Sequence, residues 1–106
     1  MNWIINFDNG KSPCRVNQAA TTVGPCIYSF GGYCQQTTVS ELKCYSPIDV
    51  HVLDTINFKW HKRPKPQTKD SQYLATPYFR YGHTCVTYND MIYLWGGRAE
   101  LVLENL

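Results

Sequence analysis

Short runs of apolar and β-branched residues, separated by turn-forming residues, make up most of this chain. Residues 19–23 form one such run, and Gly24 with Pro25 indicates a turn before a second run at 27–30. Residues 48–54 alternate apolar and polar side chains, and a fourth run at 58–62 is centred on Trp60. Because no run carries a capped helical apolar period, the pattern predicts an all-β fold built from units of four antiparallel strands.

The pattern occurs twice along the chain, at an offset of 65 residues. Residues 15–32 align without gaps with residues 80–97, and six of the 18 positions are identical. Unrelated segments of ordinary composition share about one such position. The chain therefore contains an internal repeat, which favours a fold assembled from stacked units.

Each copy of the repeat ends in a return strand followed by two glycines. The return strands at 27–30 and 92–95 are almost continuously apolar, which predicts burial on both faces. The glycine pairs follow directly and allow backbone dihedrals that a Cβ atom would disfavour. Trp3 precedes the first copy and Trp60 precedes the second, and Trp95 lies within the second copy. We expect all three tryptophans to pack in the core. The structural positions of the repeat are Gly31, Gly32, Gly96, Gly97, Trp3, Trp60 and His83.

Composition narrows the class of protein without identifying a partner. The 106 residues fit one domain at most; 43% are hydrophobic and 17% charged, as in globular proteins. The net charge of +2 is too small to indicate what the protein binds. Residues 1–10 lack the apolar core of a secretory signal, and no apolar run is long enough to span a bilayer. We therefore expect a soluble protein of the cytoplasm or nucleus with no membrane partner.

The cysteines show no spacing that is typical of a metal site or a disulfide framework. Their number is odd, and no two of them form a Cys-x-x-Cys pair. We interpret them as reduced thiols in apolar or loop positions, and we expect no metal, no cofactor and no catalytic residue. The five cysteines are Cys14, Cys26, Cys34, Cys44 and Cys85.

Four motifs in order resemble those of the kelch-repeat family. They are an Arg-x-Gly-His start at 80–83, an Ile-Tyr-x-Phe-Gly-Gly centre at 27–32, a Val-x-x-Leu-Asp strand at 50–54 and a closing Trp60. The resemblance covers residues 3–98 and implies a partial kelch β-propeller. It implies a closing strand at 3–7, a four-stranded blade at 15–62, half of a second blade at 80–97 and a non-kelch tail at 99–106.

Within the family, the chain is similar to kelch proteins with six-bladed propellers that act as substrate receptors of cullin-2 RING ubiquitin ligases. The resemblance implies a non-catalytic interaction module that binds the carboxy termini of proteins to be degraded. It places the contact with the cullin-2 adaptor in regions that this chain lacks. A chromatin-associated or cytoskeletal scaffold is the alternative. A kelch-type oxidase is disfavoured because the His, Cys and Tyr residues follow no ligand spacing.

The chain departs from the family pattern in three places. Gln18 stands where most repeats have histidine, and residues 34–47 carry an unusual Gln-Gln-Thr-Thr sequence and a second cysteine. After Arg98 neither a further Leu-Asp strand nor a closing tryptophan follows. Propellers bury their blades against one another, and about three repeats are needed for stability. We therefore expect the isolated chain to be marginally stable or unfolded, and cooperative thermal unfolding of the 106-residue chain would contradict this.

Arg15 and Arg80 are the strongest candidates for binding a substrate. In kelch propellers an arginine at this position lies near the mouth of the central channel, and a guanidinium group holds a carboxylate through two hydrogen bonds. The alternative is that each arginine pairs with a neighbouring blade or caps a turn. Tyr33 and Arg98 directly follow the glycine pairs and are weaker candidates at the same rim.

Two other features are assigned mainly structural roles. His83 is a repeat position that we expect to satisfy backbone groups inside the blade, and His51 alternates with apolar neighbours on a strand. The segment 59–80 carries six basic residues against Asp70 and three prolines. Such a segment could contact the phosphates of a nucleic acid, but a solvated surface loop is favoured.

Overall fold

A computed structural model describes residues 12–34 and 46–99 of the chain. All of its regular elements are short strands, and most of them are rich in apolar, aromatic or β-branched residues, as the sequence pattern predicts. The predicted closing strand at 3–7 with Trp3, the segment 35–45 and residues 100–106 lie outside the described residues. The strands are β1 (Ala19–Val23), β2 (Cys26–Phe30), β3 (Val50–Asp54), β4 (Lys59–Lys62), β5 (Thr84–Tyr88) and β6 (Met91–Trp95).

The strands form two antiparallel sheets in the order of the chain. The first has the order β1-β2-β3-β4, and the second consists of β5 and β6. Ala19 pairs with Phe30 in the first sheet, and Thr84 pairs with Trp95 in the second. These two pairs are related by the 65-residue offset of the repeat. The first hairpin, β1 with β2, and the second hairpin, β5 with β6, therefore share one register. The all-β fold with one four-stranded unit and half of another is confirmed.

Tight turns close the two hairpins. Asn89 and Asp90 both have positive φ angles, of 49° and 60°. Two such residues between antiparallel strands match the twist of the strands, and Asn and Asp tolerate this conformation better than most residues. In the first hairpin Gly24 has a φ of 57° after the strand, and Pro25 precedes β2. Phe58 also has a positive φ, so the fourth strand begins at Lys59, one residue later than the sequence pattern predicts.

Backbone hydrogen bonds join the two sheets at their edges. The Gly32 amide donates to the Arg80 carbonyl at 2.9 Å, and the Gly82 amide donates to the Asn17 carbonyl at 2.8 Å. Farther along, β1 lies against β5, where the hydroxyl oxygens of Thr21 and Thr87 are 2.8 Å apart. Phe79, on the segment that connects the sheets, is only 2% exposed. The core therefore lies at this junction as much as within either sheet.

The second hairpin corrects two expectations. We expected its return strand to be buried on both faces and all three tryptophans to be in the core, but Tyr93 is 52% exposed and Trp95 is 80% exposed. The reason is visible in the repeat: the matching face of the first hairpin, with Tyr28 and Phe30, is the one against which β5 packs. Within the described part of the chain, no third unit covers the face that carries Trp95.

No helix in the described ranges has the length and apolar character that crossing a bilayer requires.

Candidate functional site

The strand directions bring the long connections to one end of both sheets. β1, β3 and β5 begin at this end, and β2, β4 and β6 finish there. We call it the loop end, and we call the opposite end, with the turns at 24–25, 55–58 and 89–90, the turn end. All four predicted site residues lie at the loop end. The described basic residues of the loop end are Arg15, Lys62, Arg63, Lys65, Lys69, Arg80 and Arg98.

Arg15 binds a buried carboxylate. Its Nη2 donates to Oδ2 of Asp49 at 2.6 Å, and its Nη1 donates to Sγ of Cys34 at 3.0 Å. Asp49, directly before β3, is 3% exposed, and the Arg15 side chain is 15% exposed. An ion pair this well shielded from water stabilises the fold only while both partners remain. Asp49 belongs to the same unit, residues 15–62, as Arg15, so this contact is neither the pair with a neighbouring blade nor the turn cap named above, and the role of Arg15 in binding stays a prediction.

Two lysines add further positive charge beside Asp49. Nζ of Lys65 lies 2.7 Å from Oδ1, and Nζ of Lys62 lies 3.9 Å from it. Burial alone would raise the pKa of Asp49, but the hydrogen bonds from Arg15 and Lys65 and the nearby lysine charges outweigh it and hold the pKa below its usual value. Asp49 is therefore ionised near neutral pH. The three cations around it exceed the charge that one carboxylate neutralises.

Arg80 lies across the junction from Arg15 and has different partners. Its guanidinium carbon is 4.3 Å from the centre of the Tyr78 ring, which is a cation–π contact. Its Nε donates to the Tyr78 carbonyl at 3.2 Å, and its Nη1 reaches the Gly96 carbonyl at 3.4 Å. These contacts hold the guanidinium group at the surface without neutralising it. No carboxylate among residues 12–34 and 46–99 forms a salt bridge with Arg80.

Tyr33 and Arg98 occupy matching positions in the two copies of the repeat. Tyr33 pairs with Val16 and Arg98 pairs with Tyr81, each through a single antiparallel bridge. The Tyr33 ring stands edge-on to the Tyr81 ring, with their centres 5.9 Å apart. The Arg98 side chain is exposed. The structure thus brings Arg15, Tyr33, Arg80 and Arg98 to one end. Tyr33 and Arg98 each pair with a residue of their own copy of the repeat.

A cavity of about 440 Å³ opens beside Arg80. The segment before β5 forms one wall, with Leu74, Pro77 and Tyr78, and β6 forms the other. Leu74 is 94% exposed and Tyr78 is 40% exposed. A recess of mixed polar and apolar lining, open to solvent and with Arg80 at its margin, is suited to a ligand that combines an apolar side chain with a negative group. The cavity-lining residues are Leu74, Ala75, Thr76, Pro77, Tyr78, Arg80, Ile92, Tyr93 and Leu94.

The first glycine pair is packed between the two arginines. Gly31 has a φ of 61°, and a Cβ atom there would overlap the Arg80 carbonyl oxygen. Gly32 has a φ of 94°, and a Cβ atom there would lie 2.8 Å from Cβ of Arg15. Glycine is therefore required at these positions by both dihedral angle and space. The predicted structural role of Gly31 and Gly32 has a physical basis in this close approach.

His83 and His51 are both buried. Burial lowers the pKa of His83, the charge of Arg80 lowers it further, and the Phe30 carbonyl opposes the shift. The Phe30 carbonyl lies near the His83 ring, although neither ring nitrogen meets strict hydrogen-bond geometry with a described residue, so the backbone-satisfying role of His83 stays a prediction. Burial also lowers the pKa of His51, against the attraction of Asp49. Both rings are neutral at pH 7, as packed imidazoles are.

The remaining titratable residues form no metal centre in the described part of the chain. No group of three His, Cys, Asp or Glu side chains there could hold a metal ion. Cys14, Cys26 and Cys85 are free thiols, and burial raises the pKa of Cys85. Trp60 is half-buried on β4, where the repeat pattern placed it.

Asp49 is the residue that sequence reasoning missed. The sequence pattern places it in an alternating strand at 48–54, although the strand begins at Val50. A usable signal was present: an aspartate between Ile48 and Val50 is flanked by apolar residues, and a buried carboxylate requires a cation. The partner Arg15 is 34 residues away in sequence, so only the fold could identify it.

Comparison with known proteins shows similarity to one named group. The chain is 40% identical over 102 residues to Kelch domain-containing protein 3 from Bos taurus and 39% identical over 101 residues to that from Homo sapiens. Each alignment covers 94% of this chain and 25% of the relative. The chain thus spans about a quarter of the length of these curated relatives. No family model matches the chain.

Proposed function

We propose that this chain, which belongs to the kelch-repeat family and is a protein-interaction module, contributes to substrate recognition in a cullin-2 RING ubiquitin ligase. In this proposal the loop end binds the carboxy termini of proteins that are to be degraded. The chain performs binding and delivery rather than catalysis. It works in the cytoplasm or nucleus.

The observation that carries the proposal is the position of Arg80 at the margin of the cavity. A peptide carboxy terminus joins a carboxylate to a last side chain, and the two need adjacent polar and apolar surfaces. Arg80 supplies the cation, and Leu74 and Tyr78 supply apolar surface. Because Nε and Nη1 of Arg80 face backbone carbonyls, the guanidinium group is oriented before a ligand arrives. Such preorganisation reduces the entropy cost of binding.

Arg80→Met should weaken the binding of a peptide with a free carboxy terminus by about tenfold to a hundredfold, since a hydrogen bond to a charged group contributes about 1.5–3 kcal/mol. Amidation of the peptide terminus should cause a similar loss. The measurement is fluorescence polarisation with labelled peptides in a stabilising osmolyte.

The matched control is Arg63→Met, which removes an exposed cation of the loop end that does not line the cavity. It should leave the preference for a free over an amidated terminus unchanged. Equal binding of free and amidated peptides by the unmodified chain would refute the proposed carboxylate recognition.

A further inference from the structure

Charge is distributed unevenly between the two ends of the described sheets. Among residues 12–34 and 46–99, the loop end carries seven lysine and arginine side chains, and its acidic residues are Asp49 and Asp70. The turn end carries Lys59 with Asp54 and Asp90. The net charge of +2 for the whole chain conceals this division. Only the strand directions reveal it, because residues of the two ends are interleaved in the sequence.

Most of the positive charge at the loop end is not used inside the fold. Arg15 already neutralises Asp49, so Lys62 and Lys65 leave a surplus there, and the Lys62 side chain is 55% exposed. Arg63, Lys69 and Arg98 are exposed, and none of them forms a salt bridge with a carboxylate in the described ranges. A fold gains nothing from like charges gathered at one end, since they repel each other.

We propose that the loop end is a docking surface for an acidic segment of a partner protein, bound through its aspartate and glutamate side chains. This inference goes beyond recognition of a terminal carboxylate, because it requires no free terminus. Acidic side chains of the partner face the exposed cations, and an apolar residue of the same segment enters the cavity beside Leu74. Complementary charge speeds the encounter and selects the partner.

A protein segment fits this surface better than a nucleic acid does. Proteins that bind single strands stack bases on free aromatic faces. At the loop end the guanidinium group of Arg80 covers a face of Tyr78, and Tyr33 stands against Tyr81. Trp95, at the end of β6, is 80% exposed, but a single ring does not give the run of aromatic faces on which successive bases stack. The apolar part of the cavity wall, with Leu74 at 94% exposure, suits an aliphatic side chain and offers nothing to a phosphate.

The test uses a labelled peptide of alternating glutamate and leucine, acetylated and amidated so that it has no terminal carboxylate. A peptide with glutamine in place of glutamate is the neutral control. The chain should bind the acidic peptide at least tenfold more tightly than the neutral one at low ionic strength, and the difference should shrink as salt is added.

The triple variant Arg63→Gln, Lys69→Gln, Arg98→Gln should bind the acidic peptide about tenfold more weakly than the unchanged chain. These side chains are exposed and bind no buried group, so the fold should persist, which circular dichroism checks. Lys59→Gln, at the turn end, is the matched control and should change affinity less than twofold.

Three outcomes would overturn the inference. They are equal binding of the acidic and neutral peptides, no loss in the triple variant, or tighter binding of a single-stranded RNA or a DNA duplex than of the acidic peptide at equal salt. Because both peptides are amidated, each result is independent of whether the Arg80 cavity binds a terminal carboxylate.

Discussion

Gly31→Ala should lower the free energy of unfolding by about 3 kcal/mol, because two costs add. The residue has a φ of 61°, a conformation that costs an L-residue about 1–2 kcal/mol. The added methyl group would also overlap the Arg80 carbonyl oxygen, which accepts the Gly32 hydrogen bond. The backbone of one sheet would have to move away from the other. For a marginally stable chain, such a loss leaves little folded protein.

Gly96→Ala is the matched control. Gly96 holds the same place in the second copy of the repeat, with a φ of 76°, but its Cβ position meets nothing within 4 Å. This variant therefore carries the dihedral cost alone. Urea denaturation followed by tryptophan fluorescence, with a stabilising osmolyte, gives both values. Equal losses in the two variants would show that the approach of Arg80 to Gly31 does not constrain the fold.

Asp49→Ala is expected to cost about 3–5 kcal/mol, the usual effect of removing one partner from a buried ion pair. Arg15, with its side chain 15% exposed, would keep its charge and lose the carboxylate that compensates it. Asp54→Ala is the matched control, since Asp54 only accepts the exposed Ile56 amide at 2.8 Å. It should cost about 1 kcal/mol. The two variants are compared by their urea midpoints.

The pH dependence gives a second readout of Asp49. The pKa of Asp49 is lowered in the folded chain. Its contribution to the free energy of unfolding is therefore complete above the ordinary carboxyl pKa of about 4, and it is lost as the pH falls through the lower pKa of the folded chain. Because the pKa values of His51 and His83 are lowered in the folded chain, stability also falls as the pH drops below the ordinary histidine pKa of about 6.5. Asp49→Asn should remove the first dependence and keep the second. A variant that retained both would rule out the assigned role of Asp49.

Much of the architecture could be predicted from local pattern. The bounds predicted from the sequence, 19–23, 27–30, 48–54, 58–62 and 92–95, lie within two residues of five observed strands, and the repeat indicates a further strand before the second return strand. Such features depend on neighbours in the sequence: alternation of side chains, turn chemistry and dihedral freedom. The grouping of Arg15, Tyr33, Arg80 and Arg98 at one end followed from their matching positions in the repeat.

The rest depends on contacts between distant residues. Neither the partner of Arg15 nor the exposure of Trp95 is encoded in the residues beside them. Trp95 has the sequence surroundings of Phe30, which is 9% exposed, yet nothing among the described residues covers it. An apolar strand indicates that one of its faces requires packing against another element. Whether such an element lies there depends on the three-dimensional arrangement. The buried Asp49 was missed for the same reason.

The backbone hydrogen bonds between the sheets have a consequence for the order of folding. The turn at Asn89 and Asp90 closes a hairpin from adjacent residues, so this hairpin can form within microseconds. The bond from Gly32 to Arg80 instead closes a long loop, whose entropy cost must be met before the contact contributes. We expect each hairpin to form early and the junction between them to form last. The loop end is then the final part of the fold to be assembled.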